Sequence, residues 1–310
     1  MRTLLVCLLL AINSPSDSLK VLFWNVENFF DWRNDSTSVS DAEFSSRGDR
    51  RWTRKRFRAK CDAIAKAILW AGAPDVIGMA EVENAHVLKR LLQETVLRKL
   101  DYRIVHFDSP DPRGIDVALL YRASRVELLH AQPCHLYAED STVMATRDIL
   151  LAQIRTSARD NIGLLVNHHP SKYGGAAASG PRRRMALMRL RQLADSLRAE
   201  GTLRILAMGD MNDTPENSAF QLLSPVLENR AAELHRKGEG TIKYEGRWEL
   251  IDMFFASAEA RAGPMRILMI PFLMTQDSAH TGTKPLRTYS GPRYIGGVSD
   301  HCPISITLIM

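Results

Sequence analysis

Cysteine is scarce in this 310-residue chain, with four at positions 7, 61, 134 and 302, so it is no disulfide-stapled scaffold. It has no C-x-x-C pair, no H-E-x-x-H and no cluster of thiols, which removes structural and protease-type zinc centres. A P-loop and a G-x-G-x-x-G behind a strand are both missing, which argues against nucleoside triphosphate and dinucleotide cofactors. So is the G-x-S-x-G nucleophile elbow. No apolar run reaches the length of a membrane span. The run Leu4–Ile12 has nine residues, too few for a stable helical anchor. A composition of 45% hydrophobic and 25% charged residues, with mean hydropathy −0.17, excludes a disordered tail, a fibrous repeat and a multi-span membrane protein. Acidic residues (35) fall short of lysine plus arginine (41), giving a net charge of +6 and a pI near 9.2. That excess permits a polyanionic partner without demonstrating one.

What is present begins with an address. Met1-Arg2, the short apolar run and Asn13-Ser14-Pro15-Ser16-Asp17-Ser18 describe a secretory signal peptide over residues 1–18. The expectation is a secreted or periplasmic monomer with one catalytic domain over 19–310. Cys61, Cys134 and Cys302 would remain, an odd number that allows at most one disulfide, and none is expected to be catalytic.

Short, often β-branched apolar runs predict strands at 20–26, 76–82, 115–121, 149–154, 162–166, 203–208, 250–256 and 303–309. Weaker ones are expected at 102–107, 126–129 and 267–272. Apolar residues three and four apart predict helices at 56–70, 85–100 and 182–199. Polar loops are read at 34–49 and at the Gly/Ala stretch 174–180. Strands outnumber helices without a regular βαβ beat, which favours packed sheets with helices outside.

Several strands run out into chemistry. Asn25 and Glu27 end the first, two apart and so on one face if the strand continues, with Trp24 and Val26 turned into the core. Glu81 and Glu83, then Asp210 and Asn212, repeat the arrangement. Asn167-His168-His169 and Ser299-Asp300-His301 add imidazoles. Any one of these is an ordinary turn opening. Five together assemble hard oxygen donors with acid/base groups, which suits magnesium, manganese or calcium and the hydrolysis of phosphate esters.

Seven blocks occur in a recognisable order: Trp24-Asn25-Val26-Glu27, the Glu81 strand end, Arg113-Gly-Ile-Asp116-Val-Ala-Leu-Leu-Tyr121, Asn167-His168, Gly209-Asp210-Met-Asn212, Trp248-Glu-Leu-Ile-Asp252 and Ser299-Asp300-His301. The set resembles the endonuclease/exonuclease/phosphatase superfamily, which includes deoxyribonuclease I, abasic-site endonucleases, neutral sphingomyelinases and inositol polyphosphate 5-phosphatases. Segments 240–248 and 287–297 look like its secreted bacterial branch. The resemblance implies a four-layer α/β/β/α sandwich of two mixed sheets with outer helices. It implies Glu81 as principal metal ligand with Asn25 and Glu27 beside it, and Asp300 completing the metal shell or contacting the water. Mg2+ is the implied ion, with Mn2+ or Ca2+ as alternatives. Asp210 would activate the attacking water with Asn212 holding the same site. His301 would bind the scissile phosphate, Asp252 would hydrogen-bond His301, and His168 would be a second phosphate-binding histidine. Glu83 has no counterpart and reads as a surface charge, and His169 reads as packing.

Arg113, Lys172 and Arg182 lie beside these blocks and are candidate phosphate holders. The run 47–60 carries eight lysines and arginines in fourteen residues, interleaved with Trp52 and Phe57. It reads either as a track for a nucleic-acid backbone or as a solvated helix face. The expected activity is in-line attack of water on a phosphodiester, most simply in DNA. A phosphatase or phosphodiesterase acting on inositol phosphates or sphingomyelin is the enzymatic alternative, and a catalytically silent nucleic-acid-binding protein the third reading.

Overall fold

The computed structural model describes residues 18–35, 38–172 and 175–310. The predicted signal segment lies outside these apart from Ser18, which opens the first strand. Twelve strands build two large sheets: β1 (Ser18–Phe29), β2 (Val76–Val82), β3 (Tyr102–His106), β4 (Asp116–Arg122), β5 (Val126–Cys134), β6 (Ile149–Thr156), β7 (Asn161–His168), β8 (Arg204–Asp210), β9 (Glu228–Asn229), β10 (Asp252–Ala256), β11 (Arg266–Ile267) and β12 (Ile304–Ile309). The first sheet runs β11-β12-β1-β2-β4-β3 and the second β5-β6-β7-β8-β10-β9. Each has one parallel pair, β1/β2 and β7/β8, flanked by antiparallel neighbours. A parallel pair needs a crossover, supplied by helix α1 (Arg54–Trp70) in the first sheet and a later helix, α3 (Ala176–Ala199), in the second.

Alternation along β1 decides the layering. Leu19, Val21 and Phe23 join the core shared with the second sheet, while Leu22, Trp24 and Val26 face α1 and helix α2 (Ala85–Glu94). Ile64 and Ile68 of α1 and Leu88 and Leu91 of α2 complete that outer layer. Leu187, Leu190, Ala194 and Leu197 of α3 cover the second sheet. The result is the expected four-layer α/β/β/α sandwich. Where β2 meets β8 the sheets are tightly apposed: a Cβ on Gly78 would lie 2.6 Å from Met208 Sδ.

Several expectations need correction. The stretch read as a loop over 174–180 is helical from Ala176 onward, because three alanines outweigh Gly180. The helix expected over 85–100 breaks at Thr95, whose hydroxyl donates to Leu91 O at 2.7 Å and accepts from Leu97 N–H at 3.2 Å. Only Arg266–Ile267 of the run 267–272 and its edge pairs as a strand. Pro271, which has no N–H to give a ladder, starts a 3-10 turn. Cys61, Cys134 and Cys302 are all buried thiols with no disulfide. Among the described residues no helix is long and apolar enough to cross a membrane.

Candidate active site

Because β1/β2 and β7/β8 are parallel, their C-terminal ends emerge at one edge of the sandwich and deliver Asn25, Glu81, His168 and Asp210 together. Antiparallel β10 brings its first residue to the same edge, with Asp252 directly opposite Asp210. His168 pairs in register with Asp210 from the other side. The turn before β12 adds Asp300 and His301. Backbone strain gathers here: Glu27, Asn28, Glu81 and Asn212 are non-glycine residues at φ between 49° and 62°. The β1/β2 register shifts between Asn25 and Phe29, so simple alternation stops before Glu27.

Asn25 joins the two sheets. Its Nδ2 donates to Asp210 Oδ2 at 3.1 Å and to Glu81 Oε1 at 3.4 Å. The Asn28 N–H donates to Glu81 Oε2 at 2.8 Å, and the Asn212 N–H to Asp210 Oδ1 at 2.9 Å. Asn212 Nδ2 donates to the His169 carbonyl at 2.9 Å, tying the Asp210 turn to the exit of β7. Burial, then the neighbouring Asp252, raises the Asp210 carboxyl to about 7 against the opposing pull of His301, Asn212 and Asn25.

The two histidines are tuned in opposite directions. His301 Nδ1 meets Asp252 Oδ2 at 2.7 Å, its N–H donates to Ser299 Oγ, and its carbonyl accepts from Trp24 Nε1. Burial pulls its pKa down, but Asp252, Asp210 and Asp300 together hold it well above the ordinary histidine value. Its Nε2 lies 3.9 Å from both Asp210 Oδ2 and Asp300 Oδ1. His168 Nε2 stands 3.6 Å from Asp210 Oδ2 and 4.0 Å from Glu81 Oε1. Burial, followed by Arg147 and Arg113, drives its pKa well below the ordinary value. One imidazole is charged and the other neutral at the same edge. Asp210, Asp252 and His301 are close enough to share an ion. The 2.7 Å bond between His301 and fully buried Asp252 makes them an acid–imidazole pair instead.

The Glu27 N–H donates to Asn25 Oδ1 at 3.0 Å, and its carboxylate is engaged by the segment before β12. Its Oε1 accepts from Arg287 Nε and Nη2 at 3.1 and 3.0 Å, and its Oε2 from the Thr288 N–H at 2.8 Å. The same guanidinium holds Asp300 Oδ2 at 3.1 Å. Burial and Asp300 raise Glu27 to about 7, opposed by Lys60 and Arg287. Lys60, fully buried on α1, donates to the Glu27 carbonyl and to Thr288 Oγ1. Burial lowers it to about 8 despite the pull of Glu27, Glu81 and Asp300. Arg287 opens the segment 287–297 and Lys60 closes the run 47–60, but neither place in the sequence points to Glu27 as a partner. Glu81, Asn25, Asp210 and Asp300 supply hard oxygen atoms at the open end of this network, a donor set that fits a divalent cation. Glu83, expected at the surface, is buried, and its Oε2 accepts from the Asp31 N–H at 2.8 Å.

Two of the three candidate phosphate holders meet. Arg113 and Arg182 line a cavity of about 480 Å³ with Arg147, Thr146, Pro170 and Ser179. Arg147 is buried and donates to the His168 and His169 carbonyls and to Asp111. Lys172 lies apart from that lining, 3.8 Å from both Asp213 Oδ1 and Glu249 Oε2. A second cavity of about 490 Å³ is lined by Tyr244, Lys284, Arg287, Arg293 and Asp300. In the run 47–60 the aromatics are core: Trp52 and Phe57 are buried, Lys60 is buried, and Arg56 lies over Tyr294. Stacking of bases on Trp52 or Phe57 is therefore ruled out, because neither ring reaches solvent.

A four-layer sandwich with carboxylates and oppositely tuned histidines at one edge defines a hydrolase of phosphate esters. The chain belongs to the endonuclease/exonuclease/phosphatase family, whose model matches residues 20–310. No protein of curated function matches it in sequence. Among solved structures it is similar to the human Nocturnin catalytic domain with bound sulfate, at 15% identity and a TM-score of 0.61, covering 94% of each chain. It is also similar to a Bacteroides thetaiotaomicron mannosyl-6-phosphatase, at 14% identity and a TM-score of 0.61, covering 94% of this chain and 100% of that one. D. rerio TDP2 complexed with a single-strand DNA product matches at 17% identity and a TM-score of 0.55, covering 94% and 98%. At these identities the likeness is one of fold.

Proposed function

We propose that the chain is a metal-dependent phosphodiesterase acting on a nucleic-acid strand. The observation carrying this reading is a pair of basic cavities, one adjoining His168 through Arg147 and the other containing Asp300 and Arg287. A substrate with phosphates on both sides of the scissile bond would use both. Tyr244, 62% exposed in the second cavity, offers a face on which a base can stack. That TDP2 was captured with a single-strand DNA product on the same fold is in keeping with the proposal. A secreted or periplasmic location belongs to the same proposal.

In this reading Glu81, with Asn25 and Asp300, would hold a divalent cation, which when bound would supply neutralisation of the phosphate charge. Asp210 accepts the proton of the attacking water, a role suited to a carboxyl raised to about 7. Asn212 and Asn25 fix its two oxygens. His301, kept charged by Asp252, directs Nε2–H at a phosphate oxygen as negative charge builds there. Neutral His168 donates a second hydrogen bond from Nε2 to the phosphate. Arg287 keeps Glu27 and Asp300 from repelling the substrate.

Purified chain with Mg2+ or Mn2+ should be offered plasmid DNA, single-stranded DNA, RNA, inositol phosphates, sphingomyelin and mannose 6-phosphate. Metal-dependent cleavage of a nucleic acid, lost in Asp210→Ala and His301→Ala, is the expected result. Turnover of only a phosphomonoester would replace the nuclease reading by a phosphatase one. Absence of any activity above the two variants would sink both.

A further inference from the structure

Two small hairpins wall the second cavity, and one buried carboxylate joins them. In the first, Ile242–Tyr244 pairs with Arg247–Glu249; in the second, Met274–Gln276 pairs with Thr283–Pro285. Asp277 follows the first strand of the second hairpin and is buried. Its Oδ2 lies 3.3 Å from Lys243 Nζ of the other hairpin and 3.4 Å from His280 Nδ1. Its Oδ1 accepts from Lys284 Nζ at 3.1 Å. Lys243 Nζ also donates to the Thr281 carbonyl at 2.6 Å. Among the described residues no other carboxylate forms an ion pair with Lys243, Lys284 or His280. The hairpins touch directly as well: a Cβ on Gly246 would lie 2.7 Å from His280 Cδ2. At its base the first hairpin is fastened to the catalytic edge. Thr241 Oγ1 accepts from the Asp252 N–H at 3.3 Å, and the Thr241 carbonyl from the Cys302 N–H, next to His301, at 2.8 Å.

A buried ammonium is costly unless it is paired, so Lys243, whose side chain is 3% exposed, stays inward because ionised Asp277 stands beside it. Successive side chains of a strand point to opposite sides. Lys243 held inward therefore turns Tyr244 outward, onto the cavity that also holds Arg287 and Asp300. Lys243 and Lys284 share one negative charge, which leaves a surplus of positive charge at the wall for a phosphate. Building on the nucleic-acid reading, we infer that Asp277 is a positioning residue that sets the two hairpins as a cleft for an unpaired base, so that the chain prefers single-stranded to duplex substrate. A base laid on Tyr244 offers its flat face, and inside a duplex both faces are covered by neighbouring bases. Arg287 and Lys284 meet the phosphates of the same strand.

The full chain with Mg2+ is offered a labelled single strand, the same strand annealed to its complement, and bis(p-nitrophenyl) phosphate, a diester too small to reach from the reacting centre to Tyr244. The native chain should cleave the single strand with kcat/KM about tenfold or more above the duplex. Asp277→Asn should raise KM for the single strand about tenfold, with kcat and turnover of the small diester kept within about twofold. Tyr244→Ala, at an exposed position, should raise KM alike. The double variant should lose little more than either single one, because Asp277 acts through Tyr244. Equal cleavage of single strand and duplex by the native chain overturns the cleft. A loss in Asp277→Asn that is the same for all three substrates, or that adds in full to that of Tyr244→Ala, overturns the positioning role. Turnover of the small diester with neither strand cleaved overturns the nucleic-acid reading itself.

Discussion

Single residues at this edge are set by their neighbours' charge more than by their own chemistry. His301 is charged because Asp252 stands 2.7 Å from Nδ1, overcoming burial. Asp252→Asn removes that support while keeping the shape. Burial then prevails and the His301 pKa falls, so the alkaline limb of kcat/KM against pH moves to lower pH. A drop in kcat of about a hundredfold is expected at pH 8. An alkaline limb that stays in place would exclude His301 as the group it reports. Residues of this kind were legible in sequence, since Asn25, Glu81, His168 and Asp210 all follow apolar runs. Arg287, Arg147 and Lys60 were not. Long cations look solvated in a sequence, and the carboxylate that pairs with one can be 260 positions away, as Glu27 is from Arg287. Glu83 was misread as a surface charge because the sequence blocks give it no counterpart, whereas it is buried beneath the Asp31 N–H.

Elements hold these residues through main-chain contacts that leave little freedom. Gly209 immediately precedes Asp210 on β8, and a Cβ there would lie 2.4 Å from the Asn167 carbonyl of β7. A backbone oxygen cannot swing aside as a side chain can. Gly209→Ala should therefore part the β7/β8 ladder at the site, costing about 3 kcal/mol in urea unfolding and displacing Asp210. Unchanged stability and activity would show that the strands yield more easily than this packing allows. On α1, Lys60 is the buried counter-charge beneath Glu27, Glu81 and Asp300. Lys60→Met should destabilise the metal-free chain by about 3 kcal/mol. Divalent cation should restore part of that loss, because it replaces positive charge beside the same carboxylates. The strands β1, β2, β4 and β6–β8 were foreseen because buried strands are continuous apolar runs. Breaks at Thr95 and Pro271 depend on one side chain or one missing N–H, which a periodicity averages away.

Over the whole molecule, the +6 charge matters where it faces the substrate rather than as a total. Arg113 and Arg182 share one cavity and Arg287 and Arg293 another, whereas the cationic run at 47–60 gives its aromatics and Lys60 to the core. Arg113→Ala and Arg182→Ala should each raise KM for a DNA strand about five- to tenfold with little change in kcat, as expected when a phosphate contact outside the reacting bond is lost. The salt dependence of binding should become shallower by about one phosphate contact per substitution. A KM for DNA that neither substitution moves would take that cavity out of the substrate path.

Asn25 belongs to the first sheet and Asp210 to the second, yet they share a 3.1 Å hydrogen bond. The reacting groups are thus divided between two slabs packed face to face. Neither slab carries a working half-site. Any ligand bound there would act as a clasp across the seam, and turnover becomes a gauge of docking: a slip of one slab by a single residue would silence the chemistry while leaving each sheet intact.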